Sequence, residues 1–354
     1  MKRHRALAGG RWAALLVVPL LLAAGCRQQQ ASETQRTPAG AAEVATPAAT
    51  AAPAAPVSDT PPNELGRVPV LEYHKFAASE GRWTRTPENF RKDLEWLYQN
   101  GFRAVSMQDY VTGNINLPRG ASPVVFTFDD ADEGQFRYLE RNGQLVIDPD
   151  CALGILEEFN REHPDFGLKA TFYVLPYGFG QGKHTKRKFQ YIASKGMELG
   201  NHSVSHANLK KLSDAKVQEE LAGAQKVVQE AVPGYEFFSL ALPLGIAPRE
   251  KPLAVKGSSN GMSYHHRAVL LVGSVPARSP YDKEFNPARI ERVQATDVAE
   301  VPEYLRLRAQ LKKLVAEPGR RYVSDGDPKT ITVPAARKEE VSPERAGGRR
   351  IQTR

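Results

Sequence analysis

Residues 123–128, Pro-Val-Val-Phe-Thr-Phe, form an apolar, β-branched and aromatic run that stops at two adjacent carboxylates, Asp129 and Asp130. Such a run predicts a strand buried on both faces that carries charge to its own carboxyl end. Similar runs at 68–74, 103–107, 169–176, 197–202 and 237–243 predict further strands. Between them lie segments with helical periodicity. Thr86 followed by Pro87 marks a helix start, with Phe90, Leu94, Leu97 and Tyr98 on one face and Gly101 as the stop. Residues 150–159 and 186–195 read as helices, Ser213 caps a long helix to Ala231, and residues 302–316 predict a last one. Strands alternating with helices give an α/β class with parallel strands and crossover helices. His74, Asp129 with Asp130, His202 and Pro243-Leu244-Gly245 all fall at carboxyl ends of separate predicted strands. In a β/α barrel those ends share one face, where the chemistry is carried.

The polar residues at these ends suggest a reaction type. Neighbours on a strand point to opposite sides, so Asp129 and Asp130 divide two tasks, one binding metal and one moving protons. In Asn201-His202-Ser-Val-Ser-His206 the histidines are four apart and share one face if the segment turns helically. Two histidines and one carboxylate with an open position form a hydrolytic metal site. Taken singly, an Asp pair is commonly a helix cap or solvated turn, and a His-x-x-x-His is commonly surface or core.

The motifs Val68-Pro-Val-Leu71-Glu-Tyr-His74, Thr127-Phe-Asp129-Asp130, Lys169-Ala-Thr171-Phe-Tyr-Val and Glu198-Leu-Gly-Asn-His202-Ser-Val-Ser-His206-Ala-Asn-Leu209 follow in that order. Together, over residues 68–296, they resemble the polysaccharide deacetylase family of the NodB-homology, carbohydrate esterase type. The resemblance implies a distorted (β/α) barrel with fewer than eight regular units. It implies Asp129 as general base and Asp130, His202 and His206 as ligands of a divalent metal, zinc being the expected ion. The implied reaction is hydrolysis of an N-acetyl or O-acetyl group on an envelope or extracellular polysaccharide. Substrate contacts fall at Pro243 and Leu244, with a backbone N–H near Leu244 facing the oxyanion. Metal charge beside Asp129 keeps it ionised.

Three positions depart from the family pattern. Ala131 replaces a Gly, which matters only if that position needs positive φ. Ala241-Leu-Pro243-Leu-Gly245 stands where Arg-x-Pro-x-Gly is usual, so the arginine that orients the base is missing. The late Leu-x-His is absent too; Val269-Leu-Leu-Val-Gly273 occupies its place, and His265 and His266 lie at the entrance of that strand, where a surface role is expected. His74, at the right end of the first strand, is the better candidate proton donor. These departures leave two alternatives open: a deacetylase-fold carbohydrate-binding module with weak or no turnover, and a metal hydrolase of another acyl or amide substrate.

The remaining segments bear on location. Residues 1–25 combine a basic start with an apolar stretch at 12–24 and read as a signal peptide of lipoprotein type. Leu22-Ala-Ala-Gly-Cys26 resembles a bacterial lipobox, which implies lipidation of Cys26, a membrane partner and an exported, membrane-anchored or secreted protein. Residues 26–66, rich in Ala, Pro, Thr and Gln, are expected to be a disordered tether. The deacetylase domain is expected over 67–316, and 317–354 as a basic, mostly disordered tail. Cys151, without an intramolecular partner, is expected to be a small buried hydrophobe. The net charge of +8 is not arranged as a basic stripe interleaved with aromatics, and no nucleic-acid-binding motif is visible. Nucleic acid is therefore not an expected partner; an acetylated polysaccharide is the partner that the family resemblance implies.

Overall fold

The computed structural model describes residues 57–273 and 275–354. The expected signal peptide, Cys26 and most of the expected tether lie outside the described residues. Eight strands form one curled, wholly parallel sheet: β1 (Val70–Tyr73), β2 (Phe102–Ala104), β3 (Ser122–Phe128), β4 (Thr171–Val174), β5 (Glu198–Asn201), β6 (Ser239–Ala241), β7 (Ala268–Leu270) and β8 (Val293–Gln294). Their order is β7-β6-β5-β4-β3-β1-β8, with β2 beside the first half of β3. All seven residues of β3 are buried, as expected of a strand covered on both faces. Helices α1 (Pro87–Gln99), α2 (Met107–Thr112), α3 (Ala152–Glu162), α4 (Thr185–Ser194), α5 (Asp214–Ala231) and α6 (Leu307–Ala316) intervene.

Local sequence sets the helix ends. Thr86 Oγ1 accepts from Asn89 N–H at 3.2 Å with Pro87 in the first turn, and α1 buries Phe90, Leu94, Leu97 and Tyr98. Ser213 caps α5 at Lys216 N–H. These faces meet the aromatic layer of the sheet, where Phe128 stacks on Phe172 at 4.8 Å between ring centroids and on Tyr73 at 5.4 Å. Cys151 is free and buried, as the sequence leads one to expect.

The curl is closed by residues 287–294. Val269 N–H donates to Pro287 O at 2.8 Å and Ile290 N–H to Val269 O at 2.9 Å, so this segment starts as a partner of β7. It ends as β8 alongside β1, with Leu71 opposite Val293 and Glu72 opposite Gln294. Residue 292 therefore stands at the junction between the two edges.

Two sequence expectations are corrected. The 317–354 tail is folded: Thr330–Val333 pairs in parallel with Arg350–Thr353, and Tyr322, Val323, Ile331 and Val333 are fully buried. Its few apolar residues fall where one small core can use nearly all of them, which composition averaged over the segment conceals. The tether ends earlier than residue 66, because Asn63 N–H donates to Val323 O at 2.8 Å and Glu64 N–H to Thr332 O at 2.9 Å.

Glu64 joins these two segments. Its carboxylate accepts from Tyr322 Oη at 3.0 Å and Thr332 N–H at 2.8 Å. Burial, with Asp325 adding repulsion, raises its pKa from the ordinary 4.5 to about 8. The folded chain thus keeps a proton that the unfolded chain has released, so stability is full below pH 4.5 and declines as pH rises towards 8. The expected slope is up to about 1.4 kcal/mol per pH unit. Chemical denaturation across pH 5–8 should show this decline in the wild type and a flatter profile in Glu64→Gln; equal slopes would exclude Glu64 as its source.

Candidate metal centre and catalytic pocket

The carboxyl ends of the strands open into a pocket of about 360 Å³ lined by His74, Lys75, Trp83, Asp129, Asp130, His202, His206, Leu242, Leu244 and Val272. Every expected site residue within the described region except Pro243, which is buried, lines this pocket. A larger groove among α1, α3 and α6 holds none of these groups.

Asp130, His202 and His206 turn one ligand atom each to a common point, all within 4.8 Å of one another. His202 Nε2 is 3.2 Å and His206 Nε2 3.4 Å from Asp130 Oδ1. Ligands about 2.1 Å from a tetrahedral ion lie about 3.4 Å apart, so the spacing fits. The tautomer fits as well. His202 Nδ1 donates to the Ala241 carbonyl at 2.8 Å, which leaves Nε2 as a bare lone pair. That atom is buried with no hydrogen-bond partner and faces a carboxylate oxygen, an arrangement that calls for a cation. Burial opposes charge on His202, but Asp130 and Asp129 outweigh it and raise its pKa; a positive centre is favoured at this point.

The histidine segment is not helical, which corrects the geometry expected from the four-residue spacing. Ser203 and His206 both have positive φ, 66° and 55°, in a tight turn after β5. Asn201 holds that turn: its Oδ1 accepts from Ser203 N–H at 2.8 Å, and Ser203 Oγ accepts from His206 N–H at 3.0 Å. Glu220 of α5 accepts from Val204 and Ser205 N–H at 3.0 and 2.8 Å. Asn201 Nδ2 lies 3.1 Å from His266 Nε2, and His266 Nδ1 donates to Ala254 O at 2.8 Å. His266 is therefore a buried support of the metal turn, not a surface residue; burial lowers its pKa to about 4 and keeps Nε2 free to accept. Sequence spacing gave no signal for this role.

Asp129 is buried and clamped by Arg292, whose Nη1 and Nη2 donate to its two oxygens at 2.8 and 2.7 Å. Nη1 also donates to Thr127 Oγ1, Nη2 to Glu72 Oε1 and Nε to Leu271 O, at 3.1, 3.1 and 2.7 Å. All five guanidinium donors are thereby used. Burial alone would raise the pKa of Asp129, but Arg292 overrides it and holds the carboxyl well below its usual range. Arg292 occupies the role for which position 241 offers only alanine, so the missing arginine is supplied from the closing segment. Glu72, also buried and with its pKa raised by that burial, accepts from Gly273 N–H at 2.5 Å. A Cβ at residue 273 would sit 2.7 Å from Glu72 Oε2, so only glycine allows this approach. Although Glu72, His74 and Asp129 also bring three ligand atoms together, Arg292 already neutralises that cluster.

Asp130 and Ala131 have φ of 74° and 50°. The left-handed turn aims Asp130 across the strand ends towards the histidines, and residue 131 is a position where glycine would be less strained. Gln135 Nε2 donates to His74 O at 2.6 Å and also to Asp129 O, fixing the two strand ends together. His74 packs against Trp83 at 4.6 Å between centroids; burial lowers its pKa to about 4, so it is neutral at pH 7. Leu244, with φ of 59°, is exposed at the pocket rim, and no group among the described residues accepts its N–H.

The Arg292 clamp gives a sharp expectation. Arg292→Met leaves Asp129 and Glu72 buried without a counter-charge and should cost about 3–5 kcal/mol in urea denaturation. Adding Asp129→Asn should return part of that loss, whereas additive losses would mean that the pair is not coupled.

Residues 116–258 match the family model described as polysaccharide deacetylase. A curated relative named as a polysaccharide deacetylase, YxkH of Bacillus subtilis (strain 168), is 23% identical over 170 residues, 46% of this chain and 51% of the relative. The chain thus spans about half the length of that relative. Among solved structures, Streptococcus pyogenes deacetylase PplD in complex with acetate matches with a TM-score of 0.50 and 15% identity, over 70% of this chain and 98% of that one. The Bacillus anthracis protein BA0330 matches with a TM-score of 0.50 and 17% identity, over 70% of this chain and 69% of that one. These two likenesses concern the fold, the curled parallel sheet described above. The match over the strands that carry Asp129, Asp130, His202 and His206 leads to one conclusion: residues 116–258 are similar to the polysaccharide deacetylase family, on a fold shared with solved deacetylases.

Proposed function

We propose that this protein is a metal-dependent deacetylase that removes N-acetyl, or less often O-acetyl, groups from an envelope or extracellular polysaccharide. The observation that carries the reading is the juxtaposition, in one open pocket, of the Asp130, His202 and His206 ligand set with the Arg292-clamped Asp129. When bound, a divalent ion, zinc by the nature of the donor set, polarises the acetyl carbonyl and lowers the pKa of a water.

The chain's own groups supply the rest. Asp129, ionised and held in one orientation, takes a proton from the attacking water. As the water oxygen bonds to the acetyl carbon, the Leu244 N–H donates to the carbonyl oxygen, where negative charge develops. The C–N bond then breaks, and the proton held on Asp129 passes to the departing nitrogen, releasing acetate and a free amine. His74, neutral and in the same pocket, serves as a hydrogen-bonding relay for that proton. One feature favours the alternative of a glycan-binding module with little turnover: burial lowers the pKa of His74, the pocket imidazole outside the proposed ligand set, which weakens it as an acid.

Acetate release separates the readings. The metal-loaded protein should release acetate from acetylated glycans, lose the activity on chelation and regain it with zinc. Asp129→Asn should lower the rate by at least about a hundredfold, the lower range for loss of a general base. Metal and glycan binding without acetate release would establish the binding module instead.

We infer further that the protein is exported and anchored through lipid on Cys26. The support is the basic start, the apolar stretch at 12–24 and the Leu22-Ala-Ala-Gly-Cys26 sequence. Mass spectrometry of the mature protein should find a lipid-modified Cys26 at its amino terminus, and Cys26→Ser should move it from the membrane fraction to the soluble one; an unmodified mature residue 26 would rule the anchor out.

A further inference from the structure

One wall of the pocket has no part in the chemistry just described. Lys75 and Phe76 pair with Thr84 and Arg85, and the Lys75 N–H donates to Trp83 O at 2.9 Å. This pairing places Lys75 and Trp83 side by side at the pocket mouth, both lining it and both exposed. Arg82, exposed as well, lies over the Trp83 ring with its guanidinium carbon 5.2 Å from the centroid. Between residues 75 and 83 the only carboxylate is Glu80.

Glu80 is turned away from the mouth. Its Oε1 accepts from Thr86 N–H at 2.7 Å, Thr86 Oγ1 at 3.0 Å and Asn89 Nδ2 at 2.9 Å, and its Oε2 from Arg85 at 3.2 Å. It thereby caps α1 and leaves Lys75 and Arg82 without a carboxylate partner among the described residues. Deeper in the pocket, Asp129 is neutralised by Arg292, and Asp130 faces the ligand point of a divalent cation. The unbalanced charge at the mouth is therefore positive. A cation held against an aromatic ring, not an acidic side chain, remains free to meet an anion on a ligand.

We propose that Trp83, Lys75 and Arg82 form a subsite for an anionic sugar, one bearing a carboxylate or a phosphate next to the residue whose acetyl group is removed. Trp83 offers its partly exposed ring as the apolar wall for the sugar, and the two cations read its charge. This inference rests on the proposed deacetylase reading for the identity of the neighbouring residue, but binding tests it separately.

The experiment uses the metal-loaded protein with three acetylated oligosaccharides that differ only in the neighbouring sugar, which carries a carboxylate, a phosphate or a neutral amide. Calorimetric binding and acetate release are both measured, at low salt and at 1 M salt. Two partly exposed ion pairs predict about tenfold tighter binding of an anionic form over the amide at low salt. A preference for carboxylate over phosphate, or the reverse, identifies the substituent. At 1 M salt, where the screening length is about 3 Å, most of the preference should vanish. The double variant Lys75→Ala/Arg82→Ala should bind the anionic forms no better than the wild type binds the amide.

Equal binding of all three by the wild type, or a preference that survives both salt and the double variant, overturns the subsite. Discrimination in binding with no acetate release sustains the subsite and defeats the deacetylase reading. Acetate release without discrimination does the opposite.

Discussion

The buried pair of Asp129 and Arg292 is the constraint on which the site depends. Taking both charges out of water is costly, and the cost is recovered only with close geometry and complete hydrogen bonding. Here the fork is bidentate at 2.7 and 2.8 Å, and every guanidinium donor is used. Those partners come from β1, β3 and the segment after β7, so the arginine is satisfied only when the sheet has curled far enough to bring its two edges to one place. Closure of the barrel and orientation of Asp129, the proposed general base, are consequently one event.

The same geometry explains how the base is oriented without an arginine at position 241. What the base requires is a guanidinium fork at its two oxygens, whichever strand end delivers it. Position 241 serves the site through its backbone, whose carbonyl fixes the tautomer of His202 and turns Nε2 towards Asp130. The arginine comes instead from the junction at 292. A clamp delivered by the closing segment leaves the rim at Leu244 free of charge, with an unused backbone N–H beside the pocket.

Two of the three candidate metal ligands, Asp130 and His206, stand on strained backbone, each beside or near another such residue. Asp130, Ala131, Ser203 and His206 all lie at positive φ, a conformation that costs a non-glycine residue about 1–2 kcal/mol. Surrounding structure holds these turns: Asn201 with His266 behind it, Glu220 from α5, and Gln135 across His74 and Asp129. Such over-determination is what allows strain to persist at a functional site. It also means that the ligands are arranged by second partners, which are scattered along the chain.

The sequence by itself determined the parallel α/β architecture, the helix starts at Thr86 and Ser213 and the set Asp129, Asp130, His202 and His206, because hydrophobic period, capping chemistry and strand-end polarity are local properties. It misread what depends on long-range contact. The tail after residue 317 looked too polar to fold, yet its apolar residues find partners at Asn63, Glu64 and Leu65, more than 250 positions away. His266 looked peripheral until Asn201 was seen to point at it. Nothing in the local sequence marks Arg292; only the curl of the sheet, which sets β8 against β1, decided that it would reach Asp129. A side chain's partner across 163 residues is fixed by the closing of the barrel, and no spacing along the chain encodes it.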